Sequence, residues 1–247
     1  ISSASLGSID RFESLDLHRG DEVIIKYEII PYLDVDASCS KNNSGYKFVT
    51  PTHCKYCGCR LKEDPVLKCV NENCSSRIIG NIVNYITRMR IEGISIGKVT
   101  TLFDEKILVN IESLYTLKDH KEEIIRIPGF GIKSYMNIIK GIEDKNECYD
   151  YELLGSLGIP NIGERIFKKV LSEMSLEKLL YECKEGLLVT DLITTKGFGS
   201  KTCIKIQRGI VSKMNTIEFL LDTLNVKTYK KSEKGKVCFS KIRDVDF

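Results

Sequence analysis

One short pattern recurs four times in this chain, and it constrains the fold more than any other feature. A turn residue is followed by an apolar residue and a small residue: Gly93-Ile94-Ser95, Gly129-Phe130-Gly131, Asn161-Ile162-Gly163 and Gly197-Phe198-Gly199. The first positions are separated by 36, 32 and 36 residues. Two positions earlier stand Ile91, Ile127, Ile159 and Thr195, and nine positions later stand Leu102, Ile138, Val170 and Ile206. Agreement at several offsets in four copies identifies a structural repeat. Apolar spacing on both sides is helical, as in Ile78, Ile79, Ile82, Val83 and Ile86. Each copy therefore reads as a helix, a tight hairpin and a second helix.

The hairpin chemistry follows from its residue types. Glycine or asparagine at the first position tolerates a left-handed backbone. The apolar middle residue anchors the turn between its helices. A small third residue leaves the backbone N–H groups that open the second helix uncovered, which makes an anion site suited to a phosphate oxygen. Lys133, Arg165 and Lys201 then share one register, and the first copy has Gly97 there with Lys98 beside it. Glycines that merely end helices, with lysines that merely solvate them, account for any one copy. They do not account for cations that keep register in three. Contacts of this kind are made to a backbone, so binding is expected to be insensitive to base sequence.

Five of the ten cysteines fall between Cys54 and Cys74. Cys54-x2-Cys57, followed after eleven residues by Cys69-x4-Cys74, is a two-knuckle arrangement that supplies four thiolates to a tetrahedral zinc. Gly58 permits the turn behind the first pair. Cys59 and His53 are rivals with poorer spacing. A closed four-cysteine site is structural, because it keeps no open position for chemistry. Residues 51–77 are otherwise poor in apolar side chains, and a segment so small needs such a staple.

Residues 1–50 read as β, with short apolar runs at Val23-Ile24-Ile25 and Ile29-Ile30 and turns at Arg19-Gly20-Asp21 and Asn43-Ser44-Gly45. Fifty residues are too few for a closed barrel, so any barrel here lacks strands. The opening at Ile1 and the strand-like run that stops at Phe247 read as a piece of a longer polypeptide. The net charge of +3 neither demands nor excludes nucleic acid. The longest uncharged stretch, Leu153 to Gly163, is too short for a membrane span. Clustered and scattered thiols without an export signal point to a reducing, cytoplasmic setting.

Taken together, the knuckle and the four hairpins resemble the C-terminal half of an NAD-dependent, bacterial-type DNA ligase. Asp16-Leu17-His18-Arg19-Gly20-Asp21 and Ile29-Ile30-Pro31 are similar to segments of that family's oligonucleotide-binding (OB) domain. Ile127 to Ser134 and Leu157 to Glu164 match its second and third helix-hairpin-helix repeats, and Gly235-Lys236-Val237-Cys238-Phe239 looks like the first strand of its BRCT domain. The resemblance implies a multidomain, mainly α chain: a partial OB-type β-barrel over 1–50, a four-cysteine zinc finger over 51–77, an all-α domain of four helix-hairpin-helix repeats over 78–226, and a linker with the start of a BRCT-like domain over 227–247. It implies zinc at Cys54, Cys57, Cys69 and Cys74. DNA contacts are implied at Gly93, Ser95, Lys98, Gly129, Gly131, Lys133, Asn161, Gly163, Arg165, Gly197, Gly199 and Lys201.

The family's catalytic lysine lies in a Lys-x-Asp-Gly motif, and this sequence contains no Asp-Gly. No catalytic residue is therefore expected here, and NAD and magnesium are expected to bind outside the chain. The expected partner is nicked duplex DNA, held by a monomer that does not enter a membrane. Other readings are a non-catalytic module for nicked or branched DNA, a subunit of a nuclease or repair complex, and a zinc-stabilised scaffold for protein interactions.

Overall fold

The computed structural model describes residues 3–36, 38–63, 67–188, 192 and 198–230. The chain divides into two compact units, Ile1–Arg77 and Ile78–Phe247.

The first unit opens with helix α1 (Ile9–Ser14), whose N-cap Ser8 accepts from the Arg11 N–H. Strands β1 (Ile24–Tyr27) and β2 (Pro31–Asp34) form an antiparallel hairpin in which Ile24 faces Asp34. Arg11 ties the helix to β2 through the Leu33 carbonyl at 3.1 Å and the Asp34 carboxylate at 3.3 Å. Ile29 and Ile30 were expected in a strand. They occupy the turn of this hairpin instead, with Ile29 98% exposed. The β reading also missed α1, whose six residues bury no side chain and so carry no apolar stripe. The two glycine turns meet, since the Arg19 N–H donates to the Tyr46 carbonyl at 2.9 Å. Strands β3 (Leu61–Glu63) and β4 (Leu67–Cys69) make a second antiparallel pair. Among the described residues of this unit, Leu17, Cys54 and Cys74 are the buried ones. It has almost no hydrophobic core.

The second unit is mainly helical. Its first repeat comprises α2 (Ser75–Arg88) and α3 (Ile96–Asp104), and its second α4 (Lys121–Arg126) and α5 (Ile132–Glu143). The third comprises α6 (Asp150–Ser156) and α7 (Glu164–Val170). The fourth runs from α8 (Leu176–Glu185) to α9 (Ser200–Ser212), followed by α10 (Met214–Thr223). Leu102, Ile138, Val170 and Ile206, the equivalent positions nine residues after each turn, are all 0–1% exposed. One continuous core runs through the four repeats. The region is not purely helical, because β5 (Glu147–Tyr149) and β6 (Asn225–Lys227) pair in parallel. The Tyr229 N–H beyond β6 donates to buried Asp150 at 3.0 Å, which fastens the segment after β6 to the third repeat.

Repeats are joined in pairs by glycine contacts. A Cβ on Gly93 would stand 2.5 Å from the Asn137 carbonyl oxygen of α5, and one on Gly141 would stand 2.0 Å from that of Glu92. In the second pair, a Cβ on Gly209 of α9 would stand 2.5 Å from the Ile159 side chain. Gly141→Val is therefore expected to destabilise the unit by more than about 3 kcal/mol, because backbone rather than a flexible side chain must move. Gly80→Ala, at a helical site with nothing within 4 Å, is expected to be neutral or to stabilise by up to about 1 kcal/mol. Denaturant melts of the two variants check this, and equal midpoints would contradict the pairing.

Candidate nucleic-acid interface and metal centre

The turns are built as their residue types dictate. Gly93, Gly129 and Asn161 have positive φ of 83°, 86° and 63°. In the second and third copies a proline precedes the left-handed residue, and the Phe130 and Ile162 N–H groups each donate to the carbonyl three residues back at 3.0 Å. That is the hydrogen bond of a β-turn with proline second and a left-handed residue third. Phe130, Ile162 and Phe198 are 3–7% exposed, and Ile94 is half-buried. Gly197 and Thr195 lie outside the described residues, as do Gly235 to Phe239.

The third position of each copy is more informative. Gly131, Gly163 and Gly199 are the N-caps of α5, α7 and α9, and none makes a side-chain cap. Their φ values are −29°, −119° and −91°, so no left-handed conformation requires glycine there. Among the described residues, a Cβ at any of the three would meet nothing within 4 Å. Neither a left-handed backbone nor packing against the described residues accounts for the missing side chain. What its absence provides is open access to the first N–H groups of the following helix, which have no partner within it.

The first copy is built differently. Ser95 caps α3 by accepting from the Lys98 N–H at 3.4 Å, and the Lys98 ammonium donates to the Gly93 carbonyl at 3.0 Å. Both donors are used within the chain. Lys133, Arg165 and Lys201 stand exposed in the first turns of α5, α7 and α9. The sequence reading passed over Gly141 and Gly209, although each stands twelve residues after the first position of its copy.

In the first unit, Cys54, Cys57, Cys69 and Cys74 gather their sulfurs within 4.8 Å of one another. Cys54 Sγ lies 3.8 Å from Cys74 Sγ, and Cys57 Sγ lies 3.5 Å from Cys69 Sγ. Four thiolates around one tetrahedral zinc at about 2.3 Å stand about 3.8 Å apart, so the spacing fits that ion. Gly58 (φ 70°) closes the first knuckle, where its N–H donates to the Cys54 carbonyl at 2.8 Å. The Arg77 guanidinium holds the second through the Val70 carbonyl at 2.9 Å. Cys59 and His53 are not members of the cluster.

The sulfurs titrate apart. The Cys59 N–H draws the Cys57 thiol down to about 6, whereas burial pushes the Cys69 thiol up to about 12. A bound divalent cation would hold all four as thiolates.

No protein-family model matches the chain. Curated proteins do. The chain is 35% identical to a DNA ligase of Phocaeicola vulgatus over 208 residues, which is 79% of this chain and 30% of that protein. It is 32% identical to a DNA ligase of Bacillus subtilis over 204 residues, again 79% and 30%. A DNA ligase of Aquifex aeolicus is 30% identical over 250 residues, covering 98% of this chain and 32% of the relative. The chain thus spans about a third of the length of the curated relatives it matches. Similarity sustained across both units, and not confined to one motif, reflects common descent, and the chain belongs to the DNA ligase family of bacteria.

Proposed function

We propose that this chain is the DNA-holding part of an NAD-dependent ligase that seals nicks in duplex DNA. In this reading residues 1–50 belong to an OB domain that lies on the duplex near the nick. Residues 51–77 are a zinc finger, and residues 78–226 are a tandem helix-hairpin-helix domain that grips both backbones. Residues 227–247 lead into a BRCT-like domain. The observation that carries the reading is the set of glycines at 131, 163 and 199, where a side chain would meet nothing among the described residues. A phosphate brought against those helix starts meets unpartnered N–H groups, the positive end of the helix dipole and a cation within one turn. The names of the relatives supply the polymer: their phosphates are those of DNA.

The chain holds DNA and does not itself carry AMP. It contains no Asp-Gly and so no Lys-x-Asp-Gly nucleophile. Incubated with NAD, magnesium and nicked DNA, it is expected to bind the duplex while forming neither a protein adenylate nor a sealed strand. Binding followed by fluorescence anisotropy, with sealing read on a denaturing gel, checks both halves. Sealed product would overturn the division of labour, and failure to bind would overturn the reading as a whole.

A further inference from the structure

The first repeat carries a second basic feature that belongs to none of the hairpins. Helix α2 ends at Arg88, and the chain leaves it through Arg90, whose backbone is left-handed (φ 56°). The Ile91 N–H donates to the Ile86 carbonyl at 2.9 Å and the Arg90 N–H to that of Thr87 at 3.2 Å. That is how a helix closes around a left-handed residue, a place that glycine usually takes. Arg88 and Arg90 are both exposed, and among the described residues neither guanidinium has an acidic or hydrogen-bonding partner.

The two arginines share a cleft of about 460 Å³ with Asn84, Thr87 and Glu164. Glu164 opens α7 directly after Gly163, so the cleft adjoins the third hairpin. Two contacts fix it there. Asn84 Nδ2 donates to the Ser156 carbonyl at 2.9 Å, and the same nitrogen lies 3.3 Å from the place of a Cβ on left-handed Gly158. Helix α2 of the first repeat is thereby held against the hairpin of the third, within one compact unit.

We infer that this cleft is an additional phosphodiester site on the duplex, an inference that rests on the DNA reading above. Guanidinium groups present planar forks of N–H donors matched to phosphate oxygens. The Glu164 carboxylate in the same cleft disfavours a loosely held free anion. A backbone already bound at the adjoining hairpin offsets that repulsion, because its second contact is intramolecular. The first repeat, whose Lys98 N–H and ammonium are both used within the chain, thus contributes to binding through the end of its first helix.

The test compares the 247-residue chain, the Arg88→Gln/Arg90→Gln double variant and Lys106→Gln. Lys106 is equally exposed and left-handed (φ 61°) but lines none of this cleft. Labelled nicked duplex is titrated at several salt concentrations, with circular dichroism confirming the fold of each variant. The double variant is expected to weaken binding about tenfold and to make the logarithmic salt slope shallower by about 0.9 per phosphate lost, while Lys106→Gln leaves the slope unchanged. A folded double variant with the wild-type slope overturns the cleft and leaves the hairpin reading standing. Absence of duplex binding by the wild-type chain overturns both. A parallel titration with pyrophosphate separates the sources: pyrophosphate binding lost in the double variant, with the duplex slope unchanged, would make this a free-anion site and overturn the inference.

Discussion

Replacing Cys69 with serine is expected to release zinc from the first unit and to unfold residues 51–77. The reason is the near absence of any other core. Leu17, Cys54 and Cys74 are its buried residues among those described, and two of them are cluster cysteines. Strands β3 and β4 pair over three residues each, too short a ladder to persist alone. In small zinc modules the metal supplies about 10–16 kcal/mol of apparent binding energy, which is folding energy for the segment that holds it. A hydroxyl in place of one thiolate loses a soft ligand and leaves three charges poorly matched to the ion. The second unit, with its own continuous core, is expected to keep its helices.

Affinity for zinc is also expected to fall as pH falls, since protons compete for the same sulfurs, and the Cys69 thiol, held up to about 12, gives up its proton least readily. Elemental analysis of protein purified without chelator, with limited proteolysis of the variant, reads the outcome. Wild-type protein without zinc, or Cys69→Ser retaining a full equivalent, would contradict the assignment.

Gly131→Val is expected to weaken duplex binding about tenfold while leaving the chain folded. The residue has negative φ and open space around it among the described residues, so a side chain meets neither a left-handed turn nor a packed neighbour. The left-handed strain belongs two residues earlier, at Gly129 (φ 86°), where valine would damage the turn itself. At position 131 the branched side chain stands over the first N–H groups of α5 and keeps a phosphate from reaching them. The salt slope should become shallower by about 0.9. Lys133→Ala should do less, because it removes one exposed and screened charge. Ser95→Val should cost about 1 kcal/mol of stability through the lost cap. It should change binding little, since Ser95 already occupies the Lys98 N–H.

How much of this was legible in the sequence depends on the range of the interaction. Local constraints were. Glycine and asparagine mark the left-handed turn at 93, 129 and 161, and the apolar positions nine residues later form the floor of the core. The cysteine spacing anticipated which four sulfurs gather. Long-range contacts were not legible. Nothing near Gly141 in sequence announces that the Glu92 backbone packs against it, and the parallel ladder joins Glu147–Tyr149 to a segment almost eighty residues away. Residues with two plausible local states also misled. Ile29 and Ile30 have the composition of a strand, but the chain reverses there, and the strand begins at Pro31. Arg88 and Arg90 look like ordinary helix-end cations. Only the fold brings the third hairpin beside them.

Unpartnered N–H groups at glycine-capped helix starts are expected to hold a DNA backbone whatever its base sequence. Titration of the 247-residue chain with two nicked duplexes of unrelated sequence, across a range of salt concentrations, measures this. Equal affinity for the two is expected, falling with salt along one straight logarithmic line whose slope is about −0.9 for each phosphate held. Marked preference for one sequence, or affinity indifferent to salt, would contradict it.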